Sequence, residues 1–243
     1  MLVCVNLQII IVYLLGCMKN KHLTRLLLLL ILSLVGCGGS FDVKQLGKGD
    51  IDFVADSHRK EAERLLYELL EKLYKRNPNE LAKQASPSIE AQITRLKTAI
   101  KEDSPLYIDG LEGVALLQQA FSQDFTGDRV FTLVGGLLSM LHKSYGYHIE
   151  FYIFDKLDQQ KLYNSARNLE VSSWRLRTEK DSQGGRLILS TELIGENTNL
   201  SFERLMSKLI SVQDMMAIIA SDGGRRAVNG VAQGVAKVVF LPI

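Results

Sequence analysis

Residues 129–147 read RVFTLVGGLLSMLHKSYGY, and from Val130 to Leu141 the stretch is apolar on nearly every side of a helix. A helix that is hydrophobic all round is buried, either in a bilayer or at the centre of a globular core. Twelve residues fall well short of the roughly 20 that span a bilayer. The stretch therefore predicts a central buried helix beginning near Asp128, which needs other helices packed around it. Gly135-Gly136 in its middle lowers helix propensity unless a second backbone crosses closely, so the pair predicts a packing notch.

The flanking sequence supplies those neighbours. From Asp56 to Arg76, Ala62, Leu66, Leu69 and Leu73 fall on one helical face, with Glu68–Lys72 and Glu71–Lys75 as i,i+4 pairs on the wet side. Asn77-Pro78-Asn79-Glu80 carries a cap, a first-turn proline and a capping-box glutamate, opening a short helix to about Gln84. Ser86-Pro87 opens another to about Ile100, and a further helix is expected from Leu111 to Phe121. Beyond the central helix, 147–155 (YHIEFYIFD) and 186–194 (RLILSTELI) alternate and are β-branched or aromatic, so they leave room for one two-stranded ribbon. A helix between them, Leu157 to Glu179, places Leu162, Ala166, Leu169, Ser173 and Leu176 on one face. Ser201 opens the next helix, whose stripe runs through Leu205, Leu209, Val212, Met216 and Ile219 and is broadened by Met206, Ile210, Met215 and Ile218. Asp222-Gly223-Gly224 is expected to turn the chain into a last helix, Ala227 to Phe240, with small residues at Gly230 and Gly234 for close packing. Short connections imply antiparallel neighbours, so the fold class is mainly α, an antiparallel multi-helix bundle over 51–243.

Chemistry is thinly signposted. His142, His148, Glu150 and Asp155 are metal-capable, but the histidine spacing is not the i,i+4 pair that puts two imidazoles on one face, so no metal site is assigned. No glycine pair has the setting of a phosphate-binding loop, and no G-x-S-x-G occurs, so no catalytic residue and no cofactor is assigned. An enzyme is accordingly the less favoured class. The most distinctive stretch is 158–179, DQQKLYNSARNLEVSSWRLRTE. Tyr163, Asn164, Arg167, Asn168, Trp174 and Arg175 are residue types enriched in recognition surfaces. Tyr163, Arg167, Trp174 and Arg175 form the candidate interaction surface, against the plainer reading that the aromatics fill the core and the arginines stay solvated.

The N-terminus is of a different character. Lys19, Lys21 and Arg25 precede the apolar run LLLLLIL at 26–32, and Leu34-Val35-Gly36-Cys37 follows. A basic region, a short apolar region and small residues make a cleavable secretory signal. Leu34-Val35-Gly36-Cys37 resembles the lipobox of bacterial lipoproteins, which implies cleavage before Cys37 and acylation of its thiol and new amino group. The resemblance extends to sorting, where Gly38 after the acylated cysteine implies the outer membrane, facing the periplasm. Residues 158–179 and the C-terminal segment as far as VVFLPI also resemble uncharacterised bacterial lipoproteins, a resemblance that implies no activity. Residues 1–17 have no basic residue and end in a poorer Leu14-Leu15-Gly16-Cys17 box, so they read as a mis-assigned extension before a start at Met18. The rival reading is a genuine N-terminal hydrophobic segment.

The expected organisation is thus 18–36 signal, 37–50 lipidated Cys37 and flexible tether, and 51–243 helical periplasmic domain. Losing 1–36 removes three of the 29 Lys+Arg and none of the 27 Asp+Glu, leaving a net charge of about −1 and no electrostatic case for nucleic acid. Of three cysteines only Cys37 survives processing, which leaves no thiol for catalysis or a disulfide. The function expected first is a non-catalytic accessory or scaffold binding another envelope protein while held to the membrane by lipid. The alternatives are a lipid- or small-molecule-binding domain, with its cavity between 128–145 and 201–220, and a periplasmic hydrolase.

Overall fold

The structure is a computed structural model that describes residues 48–191, 199–224 and 239–243. The expected signal, Cys37, most of the tether and residues 227–238 of the last expected helix lie outside the described residues. Seven helices are described: α1 (Asp50–Arg76), α2 (Pro78–Leu81), α3 (Ile89–Ala99), α4 (Val114–Ala120), α5 (Arg129–Ser144), α6 (Gln159–Thr178) and α7 (Ser201–Gly224).

The mainly α, antiparallel multi-helix fold is what the sequence periodicity predicts. Tyr74, near the end of α1, donates to Asp128 at the start of α5, while Phe151 just beyond α5 donates to Asp56 near the start of α1, so these two helices run in opposite senses. Gln213 of α7 bonds Ser165 of α6, and Glu203 of α7 pairs with Arg177 further along α6, so this pair is antiparallel as well. Helix α7 also packs on α1, and α5 lies against α1, α4 and α6. At the centre, α5 is buried from Arg129 through His142, as an all-round apolar helix must be.

The glycine notch is present and its two halves differ. A Cβ on Gly136 would sit 2.9 Å from Leu116 Cβ and 3.1 Å from the Leu117 backbone nitrogen, so α4 crosses α5 at the distance only a glycine allows. A Cβ on Gly135 would meet only the end of the Ile108 side chain, at 2.2 Å, with Leu96 next at 3.6 Å. Gly136→Ala is therefore expected to destabilise by about 1–2 kcal/mol, since overpacking against backbone outweighs the gain in helix propensity. Gly135→Ala, whose clash a rotamer change relieves, is expected to stay within about 0.5 kcal/mol of the parent. Urea midpoints of the two variants check the contrast, and equal losses would refute it.

Several boundaries move. The helix expected from Asp56 begins at Asp50, because Asp52 accepts the Gly49 N–H at 2.7 Å and closes the first turn, and Lys48 pairs with Asp56. Helix α4 starts at Val114 rather than Leu111, since Leu111 forms a two-way backbone pair with Ile108 and Gly113 has φ +52°. Asp222-Gly223-Gly224 does not turn the chain; α7 runs through it. Val239 and Phe240, expected to end the last helix, are not helical. Met215 and Ile218, expected to broaden the buried stripe of α7, are each about half exposed, at 51% and 53%.

The β ribbon over 147–155 and 186–194 is corrected: no strand forms in the described residues, and 192–194 lie outside them. Its backbone donors are taken one at a time by side chains and helix ends. Ile149 N–H donates to Glu102, Phe151 N–H to Asp56 and Tyr152 N–H to Asp155. In the second segment Leu187 N–H donates to the Glu179 carbonyl and Leu189 N–H to Asn77 Oδ1. With those donors used, a ladder between the two segments has little left to build on.

Candidate functional site

The four residues expected to form a recognition surface all lie on α6, yet they differ in what they touch. Arg167 Nη2 donates to both carboxylate oxygens of Asp214 at 2.7 Å, while Nη1 lies 3.0 Å from Glu170 and the guanidinium lies over the Tyr163 ring. That geometry ties α6 to α7, as a planar guanidinium on a carboxylate does well. Arg175 lies 5.2 Å from the ring centres of both Phe121 and Phe240 and pairs with Glu179 at 3.2 Å. Tyr163 is half-buried against the core. Trp174 stands out as 41% exposed, an indole on a helix whose neighbouring Arg175 is already immobilised.

Asn164 and Asn168, which the sequence grouped with that surface, point the other way. Asn168 is fully buried; its amide nitrogen donates to the Leu241 carbonyl at 2.9 Å and its oxygen accepts the Leu241 N–H at 2.7 Å. One turn earlier, Asn164 donates to the Pro242 carbonyl and accepts from Gln160. A side-chain amide thus pairs with a peptide group as a neighbouring strand would. Asn77 does the same at the other end of the bundle, exchanging both bonds with Leu189 at 2.8 Å. Neither pairing has a local signal, because the partners are 73 and 112 residues away.

The segment held by α6 forms one wall of a cleft of about 420 Å³, whose opposite wall is the start of α4 with Glu112, Gln118 and Lys143. Lys143 pairs with Glu112, and this hydrogen bond raises the lysine above its ordinary value. Tyr147 donates to the other Glu112 oxygen at 3.4 Å. The cleft therefore offers apolar surface from Phe240, Pro242 and Ile243 beside a compensated ion pair.

The metal-capable residues assemble differently from their order in the sequence. His142 is buried, and its Nε2 lies 3.0 Å from the Lys101 and Ser104 carbonyls, which makes Nε2 the protonated nitrogen. Burial holds its pKa below the ordinary value, and its Nδ1 has no partner that could accept a second proton. Glu150 accepts from Tyr152 Oη and Asp155 from Tyr152 N–H, so neither joins His142. His148 instead meets Glu102 and Asp103, at 3.3 and 3.2 Å, on a neighbouring turn. These three offer ligand atoms within 4.8 Å of one another, but the carboxylates are exposed and Glu102 already accepts from Ile149. The sequence missed this trio because 102–103 and 148 are joined only by the packing of two loops.

The space expected to hold a ligand, between 128–145 and 201–220, is occupied by polar side chains. Gln213 accepts from Tyr145 Oη at 3.0 Å and donates to Ser165 Oγ at 2.6 Å and Ser144 Oγ at 3.3 Å, all of them buried. The third described histidine, His58, lies 3.0 Å from the Val54 carbonyl. No protein-family model, curated protein or solved structure matches this chain.

Proposed function

We propose that this protein is an envelope lipoprotein, held to the outer membrane by acylated Cys37, whose helical domain is a non-catalytic accessory that binds another envelope protein. The observation that carries the reading is the Trp174 surface of α6. An exposed indole beside an arginine fixed by its own ion pair and two aromatic rings loses little side-chain freedom on binding, and Trp and Arg dominate interface energetics. The polar groups of the interior support a structural scaffold rather than a reaction: Arg167, Asn168 and Gln213 all end on other parts of the same chain.

The test has two arms. Cys37→Ser is expected to abolish metabolic acyl labelling and to release the protein from the membrane fraction; a variant that keeps lipid and membrane attachment sinks the anchor. A photo-crosslinking side chain at 174 in intact cells is expected to capture one protein partner. Trp174→Ala, at an exposed position, is expected to weaken that capture at least about tenfold while leaving the thermal midpoint unchanged, as loss of an interface anchor does. Capture of nothing at 174 refutes the scaffold. The cleft beside α4 favours a second reading, small-molecule binding, in which an apolar ligand sits against Phe240 and Pro242.

A further inference from the structure

The start of α1 and the connection from α5 to α6 meet at one end of the bundle and leave an apolar tip in solvent. Phe154 is 90% exposed and Ile153 65%, far beyond what a surface loop needs, and Ile51 and Phe53 on the first turns of α1 are about 40% exposed. Contacts of Lys48 and Asp56 bring these two segments side by side. Lys48 Nζ lies 4.9 Å from the Tyr152 ring centre and 6.0 Å from that of Phe53, and Asp56 of α1 accepts the Phe151 N–H. The tip is also held rigidly: Tyr152 N–H donates to Asp155, Phe151 is buried between Tyr145 and His148, and Lys48 pairs with Asp56. Isolated exposed apolar residues are ordinary, but four in a fixed cluster, two of them aromatic, mark a surface that is covered by something.

The chain's own path says what covers it. Only ten residues separate Cys37 from Lys48, and fully extended the connection reaches at most about 40 Å. The domain enters at Lys48, beside this tip, and α1 then carries the chain about 40 Å away from it. In a protein held by acyl chains on Cys37, the tip is the end of the domain at which the anchored chain enters. The charges near the tip balance rather than form a basic patch, since Lys48 is paired with Asp56, Lys156 follows Asp155 and Asp50 stands on the first turn of α1. The attraction is therefore apolar rather than electrostatic.

We infer that the tip formed by Ile51, Phe53, Ile153 and Phe154 inserts into the bilayer surface, docking the domain on the membrane that anchors Cys37. The inference rests on the anchor reading, and the experiment separates the two. The full chain is expressed with Phe154→Cys or, at the other end of α6, Lys180→Cys. In the processed protein the only other cysteine is the acylated Cys37, so a thiol-reactive environment-sensitive dye reports one site. The purified protein is reconstituted in neutral phosphatidylcholine vesicles, with and without bromine-labelled acyl chains.

The dye at 154 is expected to shift to the blue and lose most of its emission to the brominated lipid, equally at low and high salt, while the dye at 180 stays in water. An acylated, vesicle-bound protein whose dye at 154 remains in water overturns the docking and leaves the anchor standing. A dye that leaves water but is not quenched by bromine is covered by protein, a second copy or a partner, and also overturns it. Should Cys37 carry no lipid, the anchor fails on its own. The same dyes on a Cys4→Ser, Cys17→Ser, Cys37→Ser background, added to the same vesicles, then decide: quenching at 154 upholds the docking and water exposure refutes it.

Discussion

Asp128→Ala is expected to lower the stability of the folded chain by about 3 kcal/mol. The carboxylate does three things at one buried point. Its Oδ1 accepts the Phe131 N–H at 2.9 Å and caps α5, and its Oδ2 accepts from Tyr74 Oη at 2.6 Å and Gln84 at 2.9 Å. Removing a helix cap costs about 1 kcal/mol. Leaving the phenol of Tyr74 buried without an acceptor adds about 1–3 kcal/mol. The bond also explains why burial and the adjacent carboxylate together push the Tyr74 phenol well above its ordinary value. Asp128→Asn keeps an acceptor for Phe131 but presents only one oxygen to three donors, so an intermediate loss is expected. Denaturant midpoints measure both, and a loss under about 1 kcal/mol for the alanine variant would show that the junction of α1, α2 and α5 is held elsewhere.

The second large effect lies where α5, α6 and α7 meet. Gln213→Leu is expected to cost about 2 kcal/mol, because Tyr145 Oη, fully buried, loses the acceptor it has at 3.0 Å. The two serines suffer less, since Ser144 and Ser165 each donate to a carbonyl of their own helix, Leu141 and Leu162. Tyr145→Phe alone is expected to cost about 1 kcal/mol by orphaning the Gln213 oxygen. Once both partners are apolar there is no stranded phenol, so the double variant is expected to lose at least about 1 kcal/mol less than the sum of the single losses. Strict additivity in this cycle would show that the hydrogen bond does not join α5 to α7.

The parts of this architecture that sequence exposes are those set by local periodicity. Helix α5 announces itself because its cover must come from every side, and Gly135-Gly136 announces the crossing of α4, although only coordinates show that Gly136 meets backbone and Gly135 a movable side chain. The ribbon was misread for a physical reason. The alternation of residue types at 147–155 does not become extended chain, because Tyr147 turns at φ +68° and the Asp155 N–H closes a turn on the Tyr152 carbonyl, which exposes Ile153 and Phe154 together. What the backbone of each segment pairs with depends on Glu102, Asp56 and Asn77, which lie far away in sequence. The candidate surface divides in the same way. Residue type marked Arg167, Arg175, Asn164 and Asn168 as recognition residues, and they do recognise, but what they grip is this chain. Only Trp174 keeps the outward role its chemistry suggested, and the trio of Glu102, Asp103 and His148 is written nowhere in local spacing.

The asparagine pairings have a consequence for how this fold tolerates change. Asn77 and Asn168 each grip the peptide group of Leu189 and Leu241, not their side chains, so the grip is blind to which residue stands there. It is strict about register instead, since sliding the segment by one residue would bring the neighbouring peptide group, facing the opposite way, to the amide. Each segment is also completed by side-chain amides rather than by another strand, Leu189 by Asn77 and 241–242 by Asn168 and Asn164, so the described residues hold it without presenting a sheet edge on which a second molecule could build.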